Sequence, residues 1–177
     1  DFFCSGDGDL HHGMAMPLAP AEKKAMRGSI ADTLLIDSGF WLALFDTRDP
    51  YHNQAICLYP IIEKCHALLP WPILYEVIST RLVKSTDSLN RLYLELQTPG
   101  LHRVPDDPYR ESALEQAITT ANQSRRTSLV DAVLRKILAD PGRRIDAMVT
   151  FNDRDFADVC ARRRIPMYPR DQDWVTP

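Results

Sequence analysis

Leu34-Leu35-Ile36 is an apolar run too short for a helix, and it stops at one carboxylate, Asp37. Ser38 and Gly39 break the run, and Phe40, Trp41, Leu42, Leu44 and Phe45 resume it at helical spacing. A buried strand that ends in an acid and turns at once into a helix places that acid at the carboxyl edge of a sheet. In open α/β sheets that edge is where ligands bind. A short apolar run at 67–69, a candidate strand at 101–104 and further strand-like stretches at 145–151 and 165–168 continue the theme, each separated from the last by helical patterns. Strands alternating with helices predict an α/β fold with a mainly parallel sheet and helical crossovers.

The helices carry start and stop signals. Asp49-Pro50 opens a segment to Lys64, with Pro60 as a kink, and Pro70-Trp71-Pro72 precedes a helix from Ile73 to Lys84. Thr86 or Asp87 can cap Leu89 to Gln97, which Pro99-Gly100 ends; Asp107-Pro108 opens a helix to about Asn122. Thr127 or Ser128 caps a helix to Ala139, and Asp153 or Asp155 starts one to Arg163. Residues 1–31 lack periodicity and read as a flexible extension. Residues 32–170 form one domain, and 171–177 a tail.

With 177 residues the chain can bury one proper core. Its net charge of −3 gives no overall attraction for nucleic acid, so a polyanion site must rest on local cations. The four cysteines form no C-x-x-C pair, no apolar run approaches a membrane span, and no secretory leader is recognisable. A cytoplasmic protein is the expectation.

The acids fall in a pattern. Asp37 ends the first strand, Glu76 lies early in the next helix, Asp131 sits in the first turn of the Ser128 helix, and Asp153 and Asp155 follow the strand ending near Phe151. Strand ends and the helix starts just after them share one sheet edge. Each acid alone has an ordinary explanation, because first-turn carboxylates suit the helix dipole and Ser128-x-x-Asp131 has the form of a capping box. Together they are harder to dismiss, since Asp37 and Glu76 sit among apolar residues and clustered carboxylates raise one another's pKa. A hard divalent cation with oxygen ligands removes that conflict.

The strand-end Asp in LLIDSGFWLALF, the Glu in ILYEVIS, the Asp in SLVDAVL and the segment TFNDRDF, in this order, resemble the PIN domain. DTRDPYHNQA is similar to the corresponding region of VapC-type toxins. The resemblance spans about Thr33 to Tyr168. It implies a three-layer α/β/α sandwich and a Mg²⁺- or Mn²⁺-dependent ribonuclease, in many bacterial members a toxin held by an antitoxin in its active-site groove. Carried over, Asp37, Glu76 and Asp131 match the first three acids. The fourth is Asp153 or Asp155, with Asp153 favoured as nearer the strand end. Ser38, Thr150 and Asn152 match small polar positions that orient carboxylates or water. Arg81, Lys84, Arg125, Arg126, Arg143 and Arg144 are candidates for gripping the RNA backbone. A homodimer is also implied, with the apolar face of 51–64 as a candidate surface.

Other chemistries fit less well. Gly39 stands where a haloacid-dehalogenase-type phosphohydrolase needs a second Asp, and Asp32 with Asp37 fits a receiver domain poorly. No G-x-G-x-x-G, P-loop, H-E-x-x-H or G-x-S-x-G pattern occurs. The alternative that stands is a PIN-like module that holds RNA or a protein without cutting.

Overall fold

Strands form at the five expected stretches: β1 (Thr33–Ile36), β2 (His66–Pro70), β3 (Leu101–Val104), β4 (Ala147–Val149) and β5 (Met167–Tyr168). They join in the order β3-β2-β1-β4-β5, every neighbouring pair parallel. The structure, a computed structural model, describes residues 32–79, 82–121 and 127–169. The expected extension over 1–31 and the tail over 171–177 lie outside them. β1 is the central strand, and Leu34, Leu35 and Ile36 are fully buried. That is why its sequence is continuously apolar instead of alternating.

Among the described residues the helices are α1 (Ser38–Phe45), α2 (His52–Ile62), α3 (Trp71–Ser79), α4 (Thr86–Glu95), α5 (Arg110–Thr120), α6 (Leu129–Ala139) and α7 (Ala157–Arg163). The chain steps from β1 to β2 to β3, then crosses to β4 and β5 on the other side of β1. Right-handed crossovers in opposite directions put helices on opposite faces. The result is the expected three-layer α/β/α sandwich, and its strand order reverses between β1 and β4. Phe40, Trp41 and Phe156 are the bulkiest fully buried side chains.

Several element boundaries differ from expectation. α4 is capped by Ser85, whose hydroxyl accepts from the Ser88 amide, and not by Thr86 or Asp87. Asp49-Pro50 forms a turn in which Asp49 Oδ1 accepts from the Tyr51 amide at 3.0 Å, so α2 starts later. Asp107-Pro108 likewise precedes α5 as a turn. α3 starts earlier than Ile73, because Pro72 suits a first helical turn, and ends at Ser79; residues 82–84 form a separate 3₁₀ turn. β4 covers only 147–149 of the run 145–151, because its partner β1 ends at Ile36, opposite Val149. Residues 153–155 form a 3₁₀ turn, and Phe156, not either acid, is the N-cap of α7.

The apolar face of α2 is turned inward, with Ala55, Leu58 and Ile62 in the core. Ile56 is its one large aliphatic side chain left exposed, so the surface expected for a second copy is mostly used within the protomer.

Candidate active site

Asp37 stands one residue beyond β1 and Thr150 one beyond β4, at the carboxyl ends of the two strands where the order reverses. That is the position at which doubly wound sheets open a ligand crevice. The Asp37 amide donates to the Val149 carbonyl at 2.9 Å, so the β1–β4 pairing itself brings the two side chains together. The Thr150 hydroxyl donates to Asp37 Oδ2 at 2.8 Å, and the Ser38 amide donates to Oδ1 at 2.7 Å. The Ser38 hydroxyl reaches the same Oδ1 at 3.4 Å. The Thr150 oxygen in turn accepts from the Asn152 amide at 2.9 Å. Ser38, Thr150 and Asn152 thus form one relay that fixes the carboxylate, Asn152 through its backbone.

Asp37 is only 6% exposed. Burial pushes its carboxyl up to about 6; the bonds from Thr150 and Ser38 oppose the rise, and the charges of Asp131 and Glu76 add to it. Among the described residues, no cation figures in the shift of Asp37. Asp131 lies in the first turn of α6, half-buried. Its amide donates to the Ser128 oxygen at 3.0 Å, and the Ser128 hydroxyl donates back to Asp131 Oδ2 at 2.7 Å. The cap thereby aims the acid as well as ending the helix. Glu76, in α3, is half-buried on the wall of a groove of about 630 Å³. Tyr75, Leu114, Leu129 and Val133 line the same groove.

The fourth acid behaves differently. Asp153 is exposed in the 153–155 turn. Asp155 Oδ2 accepts from Asn152 Nδ2 at 2.5 Å, and its carbonyl accepts from Arg135 at 2.5 Å. Arg135, largely buried, also pairs with Asp158 at 2.6 Å, which ties the turn to α6 and α7.

Asp37, Glu76 and Asp131 therefore share one field, and the donor set is all oxygen, which suits Mg²⁺ or Mn²⁺. Among the described residues no three His, Cys, Asp or Glu side chains lie close enough to enclose an ion. This is compatible with Mg²⁺, which is commonly held by one or two carboxylates and keeps several waters.

Of the basic candidates, Lys84 is exposed at the end of the 82–84 turn. Arg81, Arg125 and Arg126 lie outside the described residues. Arg144 does not serve this edge: it pairs with Asp32 and Asp146, which precede β1 and β4 at the opposite end of the sheet. Arg143 beside it donates to the Tyr109 hydroxyl at 3.3 Å. One acid escaped the sequence reading. Asp106, just past β3 and buried, receives two 2.8 Å bonds from Arg110 and lines the groove beside Glu76. An acid after a strand with Arg four residues on was its signal.

The sequence matches no family model and no curated protein. Comparison with solved structures does find relatives of the fold. The chain has the PIN-domain fold in its VapC-like form. It is similar to VapC20 of Mycobacterium tuberculosis, a sarcin-ricin loop cleaving toxin, with a TM-score of 0.56 and 19% identity over 71% of this chain and 94% of that one. It is also similar to VapBC2 from Rickettsia felis bound to a DNA fragment from their promoter, with a TM-score of 0.50 and 12% identity over 76% of this chain and 96% of that one. Among the described residues no helix is long and apolar enough to cross a membrane.

Proposed function

We propose that the protein is a divalent-metal-dependent endoribonuclease, acting in the cytoplasm as the toxin of a toxin–antitoxin pair. The observation that carries this reading is the buried Asp37 carboxylate, held at both oxygens and flanked by the charges of Glu76 and Asp131. A fixed, desolvated acid among acids is destabilised when it is charged, and a divalent cation bound beside it removes that penalty. VapC20, which shares the fold, is a sarcin-ricin loop cleaving toxin, and the same class of substrate fits here.

Bound Mg²⁺ or Mn²⁺ supplies charge neutralisation at the scissile phosphate and acidifies a water. Asp37 would be the principal direct ligand, and Glu76 and Asp131, not packed closely enough to enclose the ion with it, would act through its waters and through their charge. Thr150 and the Ser38 amide keep Asp37 in one rotamer, so little reorganisation accompanies binding. Asp153 is the fourth acid of the set, and Asp155, through Asn152, holds its turn in place. Lys84, Arg81, Arg125 and Arg126 are offered as backbone contacts.

Purified protein incubated with structured RNA is expected to cleave in Mn²⁺, to stop in EDTA, and to lose activity in Asp37→Asn. Cleavage that survives both chelator and substitution would falsify the mechanism. Binding without cutting in any metal would favour the non-catalytic module.

The groove between Glu76 and Leu114 is the place for an antitoxin segment, since its apolar wall leads to one of the acids. Expression of the chain alone is expected to arrest growth, and co-expression of the product of an adjacent gene to relieve it. Unimpaired growth at high expression would point to RNA processing instead. A homodimer would use exposed Tyr75, Ile78 or Val83 more readily than α2.

A further inference from the structure

Three aromatic rings form a column beside Asp37. Phe40, three residues after the acid and fully buried, stacks on Phe151 with centroids 6.3 Å apart and planes 25° from parallel. Phe151 follows Thr150, the residue that holds Asp37 Oδ2. Tyr51 stacks on Phe151 at 4.6 Å and 6°, nearly parallel, and yet is 43% exposed. The column thus runs from the core to the surface within a residue of the site. Its outermost member is anchored: the Tyr51 amide donates to Asp49 Oδ1 at 3.0 Å, and its carbonyl accepts from the Ala55 amide at 2.9 Å.

A tyrosine that only covered Phe151 could be any apolar residue in any orientation. A flat ring lying parallel on a second ring, itself backed by a third, is a rigid π-surface with one end open. Nucleobases stack on such surfaces whatever their sequence, because every base has a π-face. A preorganised ring also loses little side-chain freedom when it is covered.

We propose that Tyr51, backed by Phe151 and Phe40, is a stacking platform for one unpaired base of the RNA strand whose backbone passes Asp37. This deepens the nuclease reading and rests on it for the substrate. The occupant is a base because the column offers an aromatic face and not a groove, and because the neighbouring acids are arranged for phosphate chemistry. Single-stranded RNA is the substrate class that presents both groups at once.

The test measures binding of a short fluorescent oligoadenylate to Asp37→Asn protein in Mg²⁺, which leaves the strand uncut. Tyr51→Leu in that background is expected to weaken binding about tenfold, while Tyr51→Phe and Tyr51→Trp keep it. Replacing one base by an abasic position should cost a similar factor, and at that position Tyr51→Leu should add nothing further. A Leu variant that binds as tightly as its parent overturns the platform, as does strict additivity at every position. If the Leu variant does not fold, the Trp variant decides: its emission should be quenched by oligoadenylate and not by the abasic strand at the critical position. Equal response to both strands overturns the proposal. Wild-type protein that binds through Tyr51 and never cuts in Mn²⁺ overturns the nuclease reading and leaves the platform standing. Cutting with KM and kcat unchanged in Tyr51→Leu overturns the platform alone.

Discussion

Asp37 costs the folded chain stability whenever it is charged. Its carboxyl, ordinarily near 3.8, titrates near about 6 in the fold, chiefly because burial strips its water. Between those values the unfolded chain has released the proton and the folded chain still holds it. The contribution of Asp37 is therefore full below about 3.8 and is lost as pH rises through about 6, a loss of about 3 kcal/mol. Asp37→Asn should stabilise metal-free protein at pH 7.5 by about 1–2 kcal/mol, less than the full term because the amide oxygen keeps the Ser38 bond only by turning its nitrogen to Thr150, whose hydroxyl must reorient to accept. The gain should vanish in urea unfolding near pH 3.5. Thr150→Val works in the other direction. It removes the bond to Oδ2, should destabilise by about 2 kcal/mol at pH 7.5, and should cost less at acid pH, where Asp37 is neutral. Equal losses at both pH values would show that the hydroxyl matters only for packing.

The elements explain what could be read in advance and what could not. β1 and β2 were legible because strands buried on both faces leave continuous apolar runs, whereas β3, an edge strand reading Leu-His-Arg-Val, has only its end residues buried. Helix starts were less so: Ser85, Thr86 and Asp87 can all cap α4, and only the geometry selects Ser85. Ser128 was readable because Asp131, three residues on, completes the box. Ser128→Ala should cost about 1 kcal/mol in thermal unfolding and, by freeing Asp131, should weaken cleavage more than stability predicts. Arg135 was invisible in sequence, since its partners at 155 and 158 belong to another element. Arg135→Met should loosen the 153–155 turn and destabilise by about 2 kcal/mol, read as faster amide exchange there before any change in β1. The ring column shares that obscurity, because it depends on residues brought together only by the fold.

At the scale of the whole molecule, the proposed function makes the acids a link between cation binding and folding. A ligand that binds only the native state stabilises it by mass action. Mn²⁺ should raise the melting temperature at pH 7.5, lose most of that effect at pH 5 where Asp37 is mostly protonated, and have none on Asp37→Asn. A shift of equal size in the variant would place the ion elsewhere.

The position of β1 also sets an order in time. Asp37 leaves the ribosome before Thr150, its hydrogen-bond partner 113 residues further along. β4 must leave the ribosome and dock beside β1 before the carboxylate is held, and closure of so long a loop comes late in folding. A stalled or truncated chain lacking β4 can carry Asp37, Glu76 and Asp131 and still have no assembled centre. On the proposed function, the chain could not cut RNA before β4 has docked beside β1.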